Sequence, residues 1–359
     1  MNTDLRMPMG GGGLSRRRFA LALPLLGACA LVAPGDVLAS ADPRVQRASR
    51  VLMGTRVDLV TAATDARDAR ALQVAMQAAF AEMARLEALM SRYRSDSEVS
   101  RIGAASGLRP VPVSPEVMAV LRQAQRLHRG SAGAFDPTIG TLRGWHFEPG
   151  QEAAPSPAEI TQGLRLVDAR ALVLDDAAGT AYLTQRGMAL DLGGVAKLPI
   201  LQAGLQVLER AGVAHALVNG GGDVLVLGSL QGRPWRVGVR DPAAPAQLMG
   251  VLELEGRGVV ASSGDYERGF VRAGRRLHHI LNPRTGWPTE GVHGVALLAR
   301  NVDAVNGWGT ALMVRGPAQA PAWHAQHPEV EVMVAHADGK RWCSPGMTAS
   351  LKPAPKNQG

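Results

Sequence analysis

Apolar residues recur at intervals of three and four in several segments of the chain. In residues 66–93 (ARDARALQVAMQAAFAEMARLEALMSRY) this spacing continues over several turns, which predicts a long helix. The same spacing in PEVMAVLRQAQRLHRG predicts a second helix, capped by Ser114 and ended by Gly130. The run ILQAGLQVLERA, residues 200–211, predicts a third helix.

Short apolar segments between turn residues predict strands. They are MGTRVDLVTA, ALVNGGGDVLVLG, WRVGVRDP, GVLELEG, GVVASSG and GVALLAR, separated by Gly, Pro and Asp. Helices and strands do not alternate regularly enough for a doubly wound fold. The pattern therefore predicts an α+β fold with a mixed, mostly antiparallel sheet flanked by helices.

Composition and charge narrow the class of protein. With 359 residues, 46% of them hydrophobic, the chain can bury a substantial core, so a disordered protein is excluded. The net charge of +8 comes mainly from arginine, because the chain has four lysines. These basic residues are scattered and aromatic residues make up 4%, which argues against a nucleic-acid surface.

The first 40 residues predict an export signal. In SRRRFALALPLLGACALVAPGDVLAS, paired arginines precede an apolar run too short to span a bilayer stably, and the pattern resembles a twin-arginine signal. Two processing outcomes stay open: lipid attachment at Cys29, or cleavage after Ala39. We therefore expect a periplasmic protein whose contact with a membrane would be a lipid anchor at Cys29. The mature chain keeps Cys343 as its free thiol, and residues 351–359 are expected to be a disordered tail.

Three motifs could bind a ligand, and two of them have a structural alternative. In GAFDPTIG, Phe135 could cover a flat ring and Asp136 could accept from its polar edge, although an Asp-Pro turn beside a core Phe fits equally well. In DLGGVAK, the glycine pair would let the backbone approach a ligand, and Lys197 supplies charge for phosphate. VNGGGDV repeats that arrangement with Asp223, although a β-bulge explains it as well.

Two further segments carry more polar chemistry. SSGDYER is followed by HHILNPRTGWP, which holds two histidines and therefore a candidate base. In NGWGTALMV, Asn306 and Thr310 are four residues apart, so one helix face could present both side chains to a cation.

Taken in order, these motifs resemble the FAD:protein FMN transferases, the ApbE-type flavin transferases. The resemblance runs from Met53-Gly54-Thr55 through SRYRSDSEVSRI, GAFDPTIG, DLGGVAK, VNGGGD, SSGDYER and HHILNPRTG to GTALMVRG. It implies a single flavin transferase domain, residues 45–350, with an FAD site between two lobes. The implied reaction splits FAD, attaches FMN through a phosphoester to a threonine of an exported or membrane redox protein, and releases AMP with the help of Mg²⁺.

The resemblance also implies roles for individual residues. FAD would be held by Met53, Tyr93, Ala134, Phe135, Asp136, Asp191, Lys197 and Ile280. Magnesium would be bound by the carbonyl of Gly194 and the side chains of Asn306 and Thr310. His279, rather than His278, would help to deprotonate the acceptor threonine, because neighbouring residues of a strand point to opposite faces.

The sequence departs from the family pattern at three places. Leu198-Pro199 replaces a Gly-Tyr pair, and Asn282 and Asn306 stand where the family usually has aspartate. An amide adds no charge at a cation, so we expect weaker magnesium binding, and tighter binding after Asn306→Asp. Asp303 could partly substitute. Two alternatives to an active transferase stay open: a flavin-binding carrier or assembly factor for a redox complex, and an exported binding protein for another ligand.

Overall fold

The fold is built around an eight-stranded antiparallel sheet. The computed structural model describes residues 44–63 and 69–354. The strand order is β1-β2-β6-β7-β10-β13-β14-β15. The strands are β1 Val45–Leu52, β2 Thr55–Ala62, β6 His215–Gly220, β7 Asp223–Leu227, β10 Gly258–Gly264, β13 Val292–Ala299, β14 Glu331–His336 and β15 Arg341–Cys343.

Three smaller sheets complete the β-structure of the described residues. They contain β8 Trp235–Arg240, β9 Leu248–Leu254 and β16 Leu351–Lys352; β3 Val111–Pro112, β4 Leu172–Asp175 and β5 Thr180–Leu183; and β11 Gly269–Arg272 with β12 Arg275–His278. Every strand pair in this part of the chain is antiparallel. The predicted α+β class is confirmed.

Helices connect the strands and pack against the sheets. They are α1 Ala69–Met90, α2 Glu98–Ala104, α3 Pro115–Gly130, α4 Pro157–Leu164, α5 Gly193–Arg210, α6 Trp308–Arg315, α7 Ala320–Gln326 and α8 Pro345–Ser350, with 3₁₀ turns at Pro137–Thr141, Ala169–Ala171 and Pro317–Gln319. Helices α1 and α5 pack on each other and, with β1 and β6, enclose the larger core. Leu59 and Leu201 are fully buried there, and each such burial stabilises the fold by about 1.5–3 kcal/mol.

A second core lies on the other face of the main sheet. There Trp235, Val237 and Leu252 of the β8-β9 pair pack against Val226 and Val260 of β7 and β10. The main sheet is therefore buried on both faces, which explains why several of its strands read as continuous apolar runs rather than as alternating patterns.

The predicted helices agree with the structure except at one boundary. Helix α1 forms where the spacing predicted it, and Ser114 caps α3 by accepting from the Val117 N–H. Helix α5 begins at Gly193, seven residues before the predicted start at 200. The glycine pair and Pro199 are typical of a loop, but burial of Val195 and its neighbours carries the helix through them.

The two chain ends differ from the prediction in different ways. Leu351 and Lys352 pair with Leu252 and Val251, so the tail predicted at 351–359 starts too early. The predicted export signal, residues 1–40, lies outside the described residues. Within the part of the chain that the structure describes, we find no helix with the length and apolar character needed to cross a membrane.

Candidate active site

The start of α5 brings three of the predicted site residues together. A Cβ at Gly194 would lie 3.0 Å from Cε2 of Phe135 and 3.2 Å from Oγ1 of Thr310, so a side chain at this position would crowd both. Leu192, which precedes the helix, offers no capping side chain; instead Asp191 Oδ1 accepts from the Gly193 N–H at 2.8 Å. Residues 188–190, which precede Asp191, are in neither a helix nor a strand.

Asp191 is held by an arginine, Arg92. Arg92 Nη1 lies 2.5 Å from Asp191 Oδ2, and the Arg92 guanidinium also lies 5.3 Å from the ring centre of Tyr93, which is 70% exposed. Burial would raise the pKa of Asp191, but Arg92 and the Gly193 N–H outweigh it and hold the pKa below its ordinary value. Asp191 is therefore ionised, and its carboxylate caps the N-terminus of α5.

The second glycine motif positions Lys197. VNGGGDV forms the β6-β7 hairpin, with Gly221 and Gly222 in its turn. Asp223 accepts from the Ser262 N–H with one oxygen and pairs with Lys197 Nζ, 2.9 Å away, with the other. Asp223 is buried, and it therefore fixes the ammonium group of Lys197.

Met53 lies close to this hairpin turn. Met53 and Gly54 form the turn between β1 and β2, and both have positive φ, 53° and 68°. A Cβ at Gly221 would be 2.8 Å from Oγ1 of Thr55, so the two turns are neighbours at one end of the sheet. The turn that contains Met53 is therefore close to the β6-β7 hairpin, whose Asp223 pairs with Lys197.

The segment Ala134–Asp136 faces the protein interior. Ala134, Phe135 and Asp136 are each 5% exposed or less. Asp136 Oδ1 accepts from the N–H and hydroxyl of Thr138, and Oδ2 accepts from the Ala169 N–H. The contacts of Asp136 match the structural alternative, an Asp-Pro turn, while contact of Asp136 with a flavin stays a prediction.

The two adjacent histidines differ in surroundings. His278 is 1% exposed, and its Nε2 bonds the Thr289 carbonyl at 2.9 Å, whereas the less buried His279 follows the end of β12 and has Nδ1 3.2 Å from the Arg268 carbonyl. Burial, reinforced by the charge of Arg268, lowers the pKa of His279 to about 3. Ile280 is 5% exposed, so its contacts are mainly with the core.

The predicted magnesium ligands converge, but not on one helix face. Helix α6 starts at Trp308 after a left-handed Gly307, so Asn306 lies in the preceding turn and the predicted shared face with Thr310 is wrong. The two segments still meet at α5: Thr310 Oγ1 approaches Gly194, and Asn306 Nδ2 donates to the Val195 carbonyl at 2.8 Å.

The three oxygen donors suit a hard cation, but the donors themselves carry no charge. The Gly194 carbonyl, Asn306 Oδ1 and Thr310 hydroxyl are oxygen donors of the kind magnesium accepts, but all are neutral. Among the described residues, no group of three or more His, Cys, Asp or Glu could hold a metal. Asn282 does not join the set, since its Oδ1 accepts from the Arg284 N–H, and Asp303 is exposed.

Three residues of the site are not singled out by the sequence motifs, and for a fourth, Asp223, the motif indicates no partner. The three are Arg92, Glu267 and Arg268. The charge of Arg268 acts on both Asp191 and His279, and burial raises the pKa of Glu267 although Lys197 opposes it. Their motifs, SRYRSD, VNGGGD and SSGDYER, were the available signal, but pairing between distant segments could not be seen in them.

Sequence comparisons match this chain to one protein family. The model of the ApbE family matches residues 53–334. A protein named FAD:protein FMN transferase from Klebsiella pneumoniae (strain 342) is 34% identical over 297 residues, which cover 81% of this chain and 89% of that protein.

Solved structures of similar proteins share the fold. The ApbE protein of Thermotoga maritima superimposes with a TM-score of 0.78 at 27% identity, over 86% of this chain and 99% of that one. The flavin transferase ApbE from Vibrio cholerae superimposes with a TM-score of 0.72 at 27% identity, over 86% and 100%. Since the family match spans most of the sequence and the fold, this chain belongs to the ApbE family.

Proposed function

We propose that this chain is an FAD:protein FMN transferase. It cleaves FAD, transfers FMN to a threonine hydroxyl of an acceptor flavoprotein in a redox complex, releases AMP and depends on Mg²⁺. The support is family membership, the name of the Klebsiella relative, and the grouping of predicted site residues around the start of α5.

The observation that carries the proposal is a fixed cation near an unprotonated base. Lys197 is held by Asp223 and can neutralise a diphosphate, and its charge is one of those that lower the pKa of His279. His279 is therefore neutral at physiological pH and close to the position where phosphate charge would be bound. Phosphoryl transfer needs charge neutralisation and an aligned hydroxyl more than covalent chemistry from the protein.

The contact with Arg268 assigns the protons of His279. Its Nδ1 faces a carbonyl, which only accepts, so Nδ1 carries the hydrogen and Nε2 keeps the lone pair. In the transfer step the threonine oxygen bonds to the FMN phosphorus while the bond from that phosphorus to the AMP phosphate oxygen breaks. The hydroxyl proton goes to Nε2 of His279, and AMP leaves with the bridging oxygen.

Other residues bind and orient the substrate in this proposal. Exposed Tyr93 and buried Phe135 lie near Asp191 and Gly194, respectively, and would cover the flavin end. Gly194, Asn306 and Thr310 would hold Mg²⁺, which when bound neutralises charge on the diphosphate. Since these three ligands are neutral, most of the charge that attracts the metal would come from FAD itself.

The test uses the full chain with FAD, Mg²⁺ and a threonine-containing acceptor peptide. We expect AMP by chromatography and a mass increase of the peptide equal to one FMN unit. His279→Ala should lower the rate by about 10²–10⁴, whereas His146→Ala, at an exposed histidine outside the site, should not. FAD binding without AMP release would instead indicate a flavin-binding carrier or assembly factor for a redox complex.

We also propose that the protein acts in the periplasm after twin-arginine export. The support is the paired arginines 16 and 17 before a short apolar run, with Cys29 as the alternative lipid anchor. Replacing both arginines by lysine should leave the protein in the cytoplasmic fraction. Unchanged fractionation of that variant would refute this route.

A further inference from the structure

Helix α5 contains a proline beyond its first turn. Pro199 is the seventh residue of the helix. Proline has no N–H, so the carbonyl of Val195, four residues earlier, lacks its helical partner. Val195 is fully buried, where an unpaired carbonyl is destabilising.

The missing donor comes from Asn306. Its Nδ2 donates to the Val195 carbonyl at 2.8 Å, and Asn306 is 2% exposed. The contact is close because the next residue, Gly307, has no side chain: a Cβ there would lie 2.8 Å from Cγ1 of Val195 and 3.4 Å from the Gly194 carbonyl. An ionised aspartate at 306 could not make this bond, since a carboxylate only accepts.

We propose that Asn306 is a positioning residue whose amide replaces the N–H that Pro199 lacks. It thereby fixes the first turns of α5, with Gly194 and Lys197, against the segment that carries Thr310. Pro199 and Asn306 act as one unit. The effect on FAD and magnesium rests on the proposed function; the effect on the fold does not.

The proposal changes what Asn306→Asp should do. In the natural chain a carboxylate would face the unpaired Val195 carbonyl, so the substitution should not tighten magnesium binding. With Pro199→Ala also present, residue 199 supplies the N–H, and the charge at 306 becomes available to the cation. The gain in magnesium affinity should therefore appear only in the double variant.

A double-mutant cycle in thermal unfolding tests the pair without metal or FAD. In the presence of a chelator, Asn306→Asp should lower Tm by roughly 3–8 °C in the Pro199 chain. In the Pro199→Ala chain, the same substitution should cost less than half of that loss. Equal losses in the two backgrounds would show that Asn306 and Pro199 are independent and would overturn the proposal.

FAD titration by fluorescence tests the positioning role. Asn306→Asp should weaken FAD binding about tenfold in the Pro199 chain, and Pro199→Ala should restore it to within about threefold. If the melting temperatures couple but the FAD affinity does not change, Asn306 is merely structural and the positioning role is wrong. If the natural chain binds no FAD, the proposed function fails. The unfolding cycle still shows whether Asn306 and Pro199 are coupled.

Asn301→Asp is the matched control. Asn301 is exposed, and its Oδ1 accepts from the Ala304 N–H, which an aspartate can also do. The variant makes the same chemical change without removing a required donor. It should leave the melting temperature and FAD affinity as they are, and a loss equal to that of Asn306→Asp would point to general charge effects and overturn the proposal.

Discussion

The two glycine-rich segments DLGGVAK and VNGGGDV look alike in sequence and serve different purposes in the structure. In the first, Gly193 and Gly194 are helical, and a Cβ at Gly194 would crowd Phe135 and Thr310. In the second, Gly221 and Gly222 have φ of 62° and 92°, the left-handed region that a tight hairpin turn requires.

The charged residues that follow the glycines join the two segments. Lys197 and Asp223 form an ion pair of 2.9 Å, with the lysine partly exposed toward the site and the aspartate buried. In the proposed function, one segment supplies the groups that bind the ligand, and the other holds Lys197 in place through Asp223. Substitutions in the first should change activity more than stability, and those in the turn of the second should do the reverse.

The largest effect is expected from Lys197→Met. Loss of the ammonium removes a fixed positive charge for the diphosphate, so AMP release should slow by about 10²–10³. Lys340→Met is the control, since Lys340 also pairs with an aspartate, Asp338, but in an exposed turn. A decrease of less than threefold for Lys197→Met would mean that this segment does not bind phosphate.

Gly194→Ala should lower activity with little loss of stability. The added methyl would lie 3.0 Å from Cε2 of Phe135, so the ring or Thr310 must move slightly, and the rate should fall by about tenfold. Gly103→Ala in α2 is matched, because its nearest neighbours would be 3.7 Å away. Comparable activity of both variants would place Gly194 outside the site.

Gly221→Ala should destabilise the fold instead. Its positive φ and the 2.8 Å approach to Thr55 predict a loss of about 1–3 kcal/mol in urea unfolding. Gly232 has a φ of 78°, but a Cβ there would have no described atom within 4 Å. Gly232→Ala therefore isolates the backbone strain and should lower the free energy of unfolding by less than Gly221→Ala does. The reverse order would contradict a tight contact between the two turns.

A further effect is expected on the pH dependence of stability. The pKa of His279 is about 3 in the folded protein and about 6.5 when unfolded. Between these values the unfolded chain binds a proton that the folded protein does not, so His279 lowers stability as the pH falls through this window. His279→Gln should therefore lose less Tm between pH 6.5 and 4 than the natural chain. Parallel curves would contradict the low pKa.

Much of the fold was predictable because its signals are local. The spacing of apolar residues in α1 and the cap at Ser114 specify helices from a few consecutive residues. The start of α5 was not predictable in this way, since its glycines and Pro199 disfavour a helix that only burial stabilises. The opposite error occurred at Asn306 and Thr310, whose spacing predicted a shared helix face although the helix starts only after the left-handed Gly307.

The sequence by itself determined the α+β class, the antiparallel strands and the family, because these depend on periodicity and on motifs of a few residues. Only the tertiary structure decided that Arg92 holds Asp191, that Asp223 fixes Lys197, and which glycine serves a contact or a turn. It also decided that the amide of Asn306 meets the Val195 carbonyl, 111 residues away in the chain. Such pairings depend on how helices and strands pack around a shared core, and no local pattern in either segment records its partner.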